Sequence, residues 1–191
     1  MKKIPLKKLV IAEIGHGVSK ISLVDEPAIM VDFLTFNREY HMKYSVQDEE
    51  RRIILSPVII PDHQIPRIDK ATGEPYLVYM DKDTVLKAAM KWAAEGRQTL
   101  ANEMHDDSKP VNGIVWYQSV VSDPNMFSAP KGFEDLPEGT WFTAGKVFDE
   151  QAWAKVKSGE FKGISMEGFF DMIDQETVTD AELRQIMESI F

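Results

Sequence analysis

The stretch FKGISMEGFF, residues 161–170, has the alternation of a β-strand with one polar face. Successive side chains of a strand point to opposite faces of the sheet. Ile164 and Met166 therefore share an apolar face, whereas Ser165 and Glu167 share the other face. A hydroxyl and a carboxylate are then roughly 6 to 7 Å apart along the chain. The stretch indicates either a half-solvated antiparallel strand or a strand that carries a site.

Strand-like segments dominate the rest of the chain. They are KISLV (20–24), MVDFLTF (30–36), RRIILSPVIIP (51–61), PYLVYM (75–80), QTLANEMH (98–105), IVWYQSVVSD (114–123) and TWFTAGKV (140–147). Pro57 lacks an N–H for a ladder, so its segment is expected to be an edge strand or to contain a bulge. Strands and helices do not alternate regularly, which argues against a doubly wound parallel sheet. We therefore expect a strand-dominated α+β fold, an antiparallel β-barrel with flanking helices.

Three segments have helical signals. TVLKAAMKWAAE predicts a helix from about 84 to 95, with Asp81 or Asp83 as its N-cap. EQAWAKVKSG predicts a short helix that ends at Gly159. TDAELRQIMESIF predicts a capped helix near the end of the sequence. We expect a single domain over residues 1–174, followed by a C-terminal helix or tail over residues 175–191.

Composition excludes several classes of function. The chain has 191 residues and a formal net charge of −9, with no basic run to balance it, which argues against binding to nucleic acid or to an anionic membrane. Its apolar runs fall short of the roughly 18 residues that a membrane span needs. It contains no cysteine, so disulfides, zinc–thiolate sites and cysteine nucleophiles are excluded. These observations favour a cytoplasmic protein.

Among the four histidines, His105 has the strongest claim to chemistry. It ends a strand-like segment and begins the acidic sequence HDD, where a carboxylate could stabilise its imidazolium and let it act as a general base. Together with Asp106 and Asp107 it could also bind a divalent metal ion. The other histidines (His16, His41, His63) lie in predicted turns or loops. The motifs HExxH, GxSxG, GxxxxGK[ST] and GxGxxG are absent.

Three features together resemble a known family. They are ISLVDEPAI (21–29), the pair His105-Asp106 before a strand, and LPEGTWFTAGKVFDEQAWAKVKSGEFKGISMEGFF (136–170). In these features the chain resembles the XkdF-like phage serine proteases, which are related to prohead maturation proteases and more remotely to herpesvirus assemblins. The resemblance runs from about residue 20 to residue 170, and its last part is the most specific.

The resemblance implies a β-barrel serine protease in which Ser165 is the nucleophile and His105 its general base. A serine hydroxyl needs an adjacent imidazole to accept its proton, and the imidazole needs an orienting partner. For that third member we rank Glu167 first, then Asp106, then Gln118, which stands where relatives tend to carry an acid. We expect Ser165 within hydrogen-bond reach of His105, and strands 100–105 and 163–170 to be neighbours in one sheet.

By the same resemblance, the function would be that of a prohead maturation protease. Its substrates would be the phage scaffold protein and the major capsid protein, cleaved in the host cytoplasm inside the assembling prohead. The resemblance implies no cofactor and no metal, and it allows a homo-oligomer. The alternative is a catalytically inactive structural or scaffold module with the same fold.

Overall fold

The computed structural model describes residues 3–25, 45–48, 50–175 and 178–179. Within these ranges the chain forms fourteen strands and two helices. The strands are β1 (Lys3–Ile4), β2 (Leu6–Val10), β3 (Gly17–Val24), β4 (Ser45–Asp48), β5 (Ile53–Ile59), β6 (Ile65–Ile68), β7 (Pro75–Tyr79), β8 (Asn102–Glu103), β9 (Asp106–Pro110), β10 (Ile114–Val121), β11 (Trp141–Val147), β12 (Gly163–Phe169), β13 (Asp171–Asp174) and β14 (Val178–Thr179). The helices are α1 (Lys82–Ala94) and α2 (Glu150–Ser158).

The described strands form three four-stranded sheets and one two-stranded sheet. The spatial orders are β10-β11-β5-β4, β12-β3-β8-β9, β13-β2-β7-β6 and β1-β14. Most pairs are antiparallel, and β2 with β7 and β3 with β8 are parallel. The sheet β12-β3-β8-β9, here called the site sheet, contains both Ser165 and the strands that flank His105.

One apolar core joins the sheets to the helices. Trp92 of α1, Trp116 of β10 and Trp141 of β11 are all buried in it, and the rings of Trp92 and Trp141 meet edge to face with centroids 5.5 Å apart. The site sheet contributes Ile21 and Ile164 to the same core. Because one face of β3 and β12 is anchored there, their alternate residues must point to the opposite face.

Both described helices lie where the sequence predicted them, although α1 begins two residues before the predicted start at 84. The Asp81 side chain caps α1 by accepting a hydrogen bond from the Thr84 N–H at 3.0 Å. α2 ends at Gly159, which has the left-handed conformation with φ 76° and so can close the helix without the steric penalty of a side chain. The predictions of helices near 84–95 and before Gly159 are confirmed.

The strand-dominated α+β class is confirmed, whereas the described strands do not form a closed barrel and that arrangement remains a prediction. Pro57 lies in β5 between β11 and β4, next to a register shift against β11, as expected for a bulge. The segment QTLANEMH contributes only the two residues of β8. The predicted strand over 30–36 and the predicted C-terminal helix lie largely or wholly outside the described residues.

Candidate active site

A tight turn positions His105. β8 and β9 are joined by a two-residue loop, Met104 and His105, whose φ angles are +52° and +58°. Positive φ at both central residues is the geometry of a type I′ hairpin, which glycine and asparagine usually supply. Non-glycine residues in this region carry strain that surrounding contacts must offset, and such strain is concentrated at functional sites. The turn places His105 at the tip of a short hairpin on the site sheet.

Register between β3 and β12 assembles the polar face of the site sheet. Ser165 is the direct partner of Ser22, and Glu167 is the partner of Lys20. A register shift follows between Glu167 and Gly168, where a Cβ on Gly168 would lie 2.2 Å from a backbone oxygen of β3. The bulge therefore needs glycine at this position, and bulges of this kind often occur next to active sites.

The side chains of Ser22, His105 and Glu167 meet on this face. The Ser22 hydroxyl donates to Glu167 Oε1 at 2.7 Å and lies 3.2 Å from His105 Nδ1. His105 Nδ1 is also 3.2 Å from Glu167 Oε1. Ser22 is fully buried, whereas the His105 side chain is 40% exposed. The His105 ring is thus held at Nδ1, while part of its side chain is accessible to solvent.

These contacts assign the proton on the imidazole. Glu167 is an acceptor when ionised, and the single hydroxyl proton of Ser22 is already directed to Glu167. Nδ1 must therefore be the donor toward these two oxygens, which leaves Nε2 with its lone pair in the neutral ring. Nε2 has no hydrogen-bond partner in the described part of the chain. That tautomer is the one a serine protease uses, with the acid on Nδ1 and the base on Nε2.

Opposing influences act on Glu167. Burial raises the pKa of this carboxyl group, but hydrogen bonds from Ser22, Asn102 and His105 outweigh burial, and the pKa lies below its usual value. Glu167 is therefore ionised at neutral pH. An ionised carboxylate 3.2 Å from Nδ1 both fixes the ring and stabilises an imidazolium.

Ser165 lies beside this cluster but does not join it by a hydrogen bond. Its side chain is buried, at 4% exposure, and Oγ has no partner among the described residues, His105 included. The expectation that strands 100–105 and 163–170 are direct neighbours is wrong, because β3 lies between β8 and β12. A buried hydroxyl without a partner is unusual and calls for an explanation, such as a ligand or a catalytic role.

The other candidates for the third member lie elsewhere. Asp106 Oδ1 accepts hydrogen bonds from the backbone and side chain of Ser108, and Oδ2 lies 3.3 Å from Lys109 Nζ. Those bonds to Ser108 lower the pKa of Asp106. Gln118 lies opposite Ala144 in β10, which belongs to another sheet than the strands around His105.

The proposed metal ligands also have other partners. Asp107 Oδ1 accepts from Lys20 Nζ and from Asn102 Nδ2, and the bond with Lys20 lowers the pKa of Asp107. Within the described ranges, no three histidine, aspartate or glutamate side chains come together as a set that could hold a metal ion.

Sequence reasoning missed Ser22 and Asn102. Both are buried polar residues, at 0% and 1% exposure; Ser22 hydrogen-bonds Glu167, and Asn102, whose Nδ2 donates to Asp107 Oδ1 at 3.3 Å, also lowers the pKa of Glu167. A signal for Ser22 was present, since a serine in the apolar segment KISLV alternates with Ile21 and Leu23 and must face away from the core.

The chain is similar to a curated bacterial protein. The chain is 24% identical over 172 residues to "Phage-like element PBSX protein XkdF" of Bacillus subtilis (strain 168), a match that covers 86% of this chain and 56% of that protein. The chain thus spans little more than half the length of this curated relative. No solved structure matches the present chain. None of the helices in the described ranges is long and apolar enough to cross a membrane.

A family model also matches most of the chain. The model described as "Putative phage serine protease XkdF" matches residues 42–174, which include His105, Ser165 and Glu167. The match covers well over half of the sequence, and the chain belongs to this phage serine protease family.

Proposed function

We propose that this protein is a serine endopeptidase of phage head assembly, with Ser165 as nucleophile, His105 as general base and Glu167 as the group that orients His105. The observation that carries the proposal is a histidine held at Nδ1 by a carboxylate, beside a buried serine; neither His105 Nε2 nor Ser165 Oγ has a hydrogen-bond partner among the described residues. The substrates would be the scaffold protein and the major capsid protein, cleaved in the host cytoplasm inside the assembling prohead.

The chemistry would be acyl transfer through serine. Ser165 Oγ attacks the carbonyl carbon of the scissile peptide bond while its proton passes to His105 Nε2. The same proton then passes from Nε2 to the leaving amine nitrogen, and the C–N bond breaks to leave an ester on Ser165. Water hydrolyses that ester by the reverse sequence, with His105 again as the base.

Ser165 and His105 must approach each other for this step. Directly opposed residues of an antiparallel pair have Cβ atoms about 4.5 to 5.5 Å apart, so Ser165 is adjacent to Ser22, whose hydroxyl already contacts the imidazole. The His105 side chain is 40% exposed and lies at the tip of a hairpin. Catalytic hydrogen bonds are often long without substrate and tighten in the complex.

Ser22 and Asn102 would act as positioning residues. Ser22 hydrogen-bonds the carboxylate that holds His105 and Asn102 lowers the pKa of that carboxylate, so both favour its ionised form. Ser22 is a poor candidate for the nucleophile, because its proton is directed to Glu167 and it meets His105 at Nδ1 rather than Nε2. Outer partners of this kind commonly tune a catalytic histidine.

The antiparallel barrel implied by the resemblance is also part of this proposal. Its support is that β5 and β12, which belong to different sheets, lie against each other. A second candidate function, an inactive module with the same fold, is favoured by one observation: the missing hydrogen bond between Ser165 and His105.

Co-expression with the cognate scaffold and capsid proteins separates the two candidates. Ser165→Ala and His105→Ala should each abolish processing while the protein remains folded, and the double variant should be little worse than either, because the pair acts as one unit. Asp106→Asn is a matched control that should process normally. If wild type and Ser165→Ala leave the same intact substrate bands, the protein is the inactive module.

A further inference from the structure

A cleft of about 300 Å³ opens beside the candidate nucleophile. Its walls come mainly from β5, β6, β7 and β12, and they are largely aliphatic and aromatic. Ser165 and Met166 line it on one side, with Tyr76 and Arg67 from the β6–β7 hairpin on another. His63, in the loop after β5, completes the polar part of the lining.

The charge in this cleft is unusual for so acidic a chain. The protein has 31 acidic and 22 basic residues, yet no aspartate or glutamate lines the cleft among the residues described. The cation present is Arg67, which is half-buried and forms no ion pair within the described ranges. Its Nη1 donates to the adjacent Pro66 carbonyl at 3.1 Å. Burial lowers the pKa of Arg67, with a small opposing effect from Tyr76, but a guanidinium remains charged in proteins.

His63 is another polar residue in the lining of the cleft. Its Nε2 is buried and has no hydrogen-bond partner in the part of the chain described. Burial lowers the pKa of His63, so the ring is neutral at pH 7. Burying a cation without a paired anion costs free energy, and no described acidic residue lines the cleft with Arg67, so a ligand carboxylate would offset that cost by pairing with the guanidinium.

We infer that this cleft binds an acidic side chain of the substrate polypeptide, with its carboxylate on Arg67 and its methylene groups against the apolar walls. This inference rests on the proposed protease function. Two observations favour a polypeptide as the occupant. Ser165 lines the same cleft, and β12 is an edge strand among the described strands of the site sheet, the kind of strand to which an extended peptide can pair.

The test measures binding rather than turnover. Full-length Ser165→Ala protein is titrated into two fluorescein-labelled decapeptide pools, identical except for a central glutamate or glutamine between randomised apolar residues. Fluorescence anisotropy should show the glutamate pool binding roughly 10- to 100-fold more tightly, the range for a charge-assisted pair. Equal affinity of the two pools, or no binding of either, would overturn the inference without any further variant.

Arg67→Met in the same background should remove the preference for glutamate, and Arg67→Lys should retain part of it. Lys7→Met is the matched control: Lys7 lies 5.8 Å above the Tyr76 ring but pairs with Asp174 and does not line the cleft. It should leave the preference unchanged. A full glutamate preference in folded Arg67→Met protein would contradict the assignment.

The outcome separates this inference from the proposed function. Selective binding of the glutamate pool by a protein that processes no substrate would retain the cleft assignment and reject the protease. Processing of scaffold or capsid protein, together with equal binding of the two pools, would retain the protease and reject the cleft assignment.

Discussion

Replacing Glu167 by glutamine tests the orientation of the proposed catalytic base, His105. The substitution keeps the size of the side chain but removes the negative charge next to His105 Nδ1. It also lets an amide N–H face Nδ1, which would favour the wrong tautomer of the ring. We expect the Ser165 hydroxyl to react more slowly with a fluorophosphonate, a reagent that needs an activated serine but no knowledge of the natural substrate.

The structure sets the size of this effect. Nδ1 and Oε1 are 3.2 Å apart. With an effective dielectric constant of about 20, an imidazolium and a carboxylate at that distance attract each other by about 5 kcal/mol. The side chains are 40% and 22% exposed, so solvent screens the pair and we expect roughly half of this value. A loss of about 2 to 3 kcal/mol corresponds to a rate roughly 30- to 150-fold lower.

The assay follows the labelling rate by intact-mass spectrometry for wild type, Glu167→Gln and Asp106→Asn. Asp106 is the matched control, because its carboxylate bonds Ser108 and Lys109 rather than the imidazole. Its variant should react at the wild-type rate. An unchanged rate in Glu167→Gln, or an equal loss in Asp106→Asn, would refute the assignment of Glu167.

Three further predictions concern the bulge in β12, the N-cap of α1 and the Ser22 partner of Glu167. Gly168→Ala should lower the free energy of unfolding, measured by chemical denaturation, by several kcal/mol. The reason is that the added Cβ would lie 2.2 Å from a β3 backbone oxygen. Gly15→Ala is the control and should change the free energy of unfolding little, because the space around Gly15 is open. Burial raises the pKa of Asp81, but its bonds with Lys8 and the α1 N-terminus lower it to about 2. Its stabilisation should therefore be complete above an unfolded pKa of about 3.9 and be lost as pH falls toward the folded value, and Asp81→Asn should show a smaller loss over that interval in acid titrations of stability. Ser22→Ala should slow fluorophosphonate labelling roughly tenfold, the rate equivalent of losing one hydrogen bond worth about 1.4 kcal/mol. A variant that reacts no more slowly than wild type would show that Ser22 does not position His105.

Local sequence patterns predicted the face alternation of β12 and the positions of α1 and α2. Alternation in FKGISMEGFF placed Ser165 and Glu167 on one face, and both lie on the polar face of β12. Capping signals located α1 and α2, because Asp81 and Gly159 act on backbone groups within a few residues of themselves. Such signals are local in the chain, so a single sequence contains them.

The assembly of the site depended on contacts that no local pattern contains. Ser22 and Glu167 are 145 residues apart, and they meet because β3 and β12 pair in one register rather than another. The turn at Met104 and His105 has left-handed backbone without glycine or asparagine, so its usual sequence signal is missing. Sequence analysis consequently extended that strand to residue 105 and placed it directly beside β12.

The identity of the serine that carries the acyl group is the central claim, and the site of a covalent adduct tests it most directly. Wild-type protein is treated with a fluorophosphonate, digested, and mapped by tandem mass spectrometry. Ser165 and Ser22 lie in separate tryptic peptides, because many lysines and arginines lie between them. We expect one adduct, on Ser165, which is lost in His105→Ala. An adduct on Ser22, or no adduct on folded wild-type protein, would contradict it.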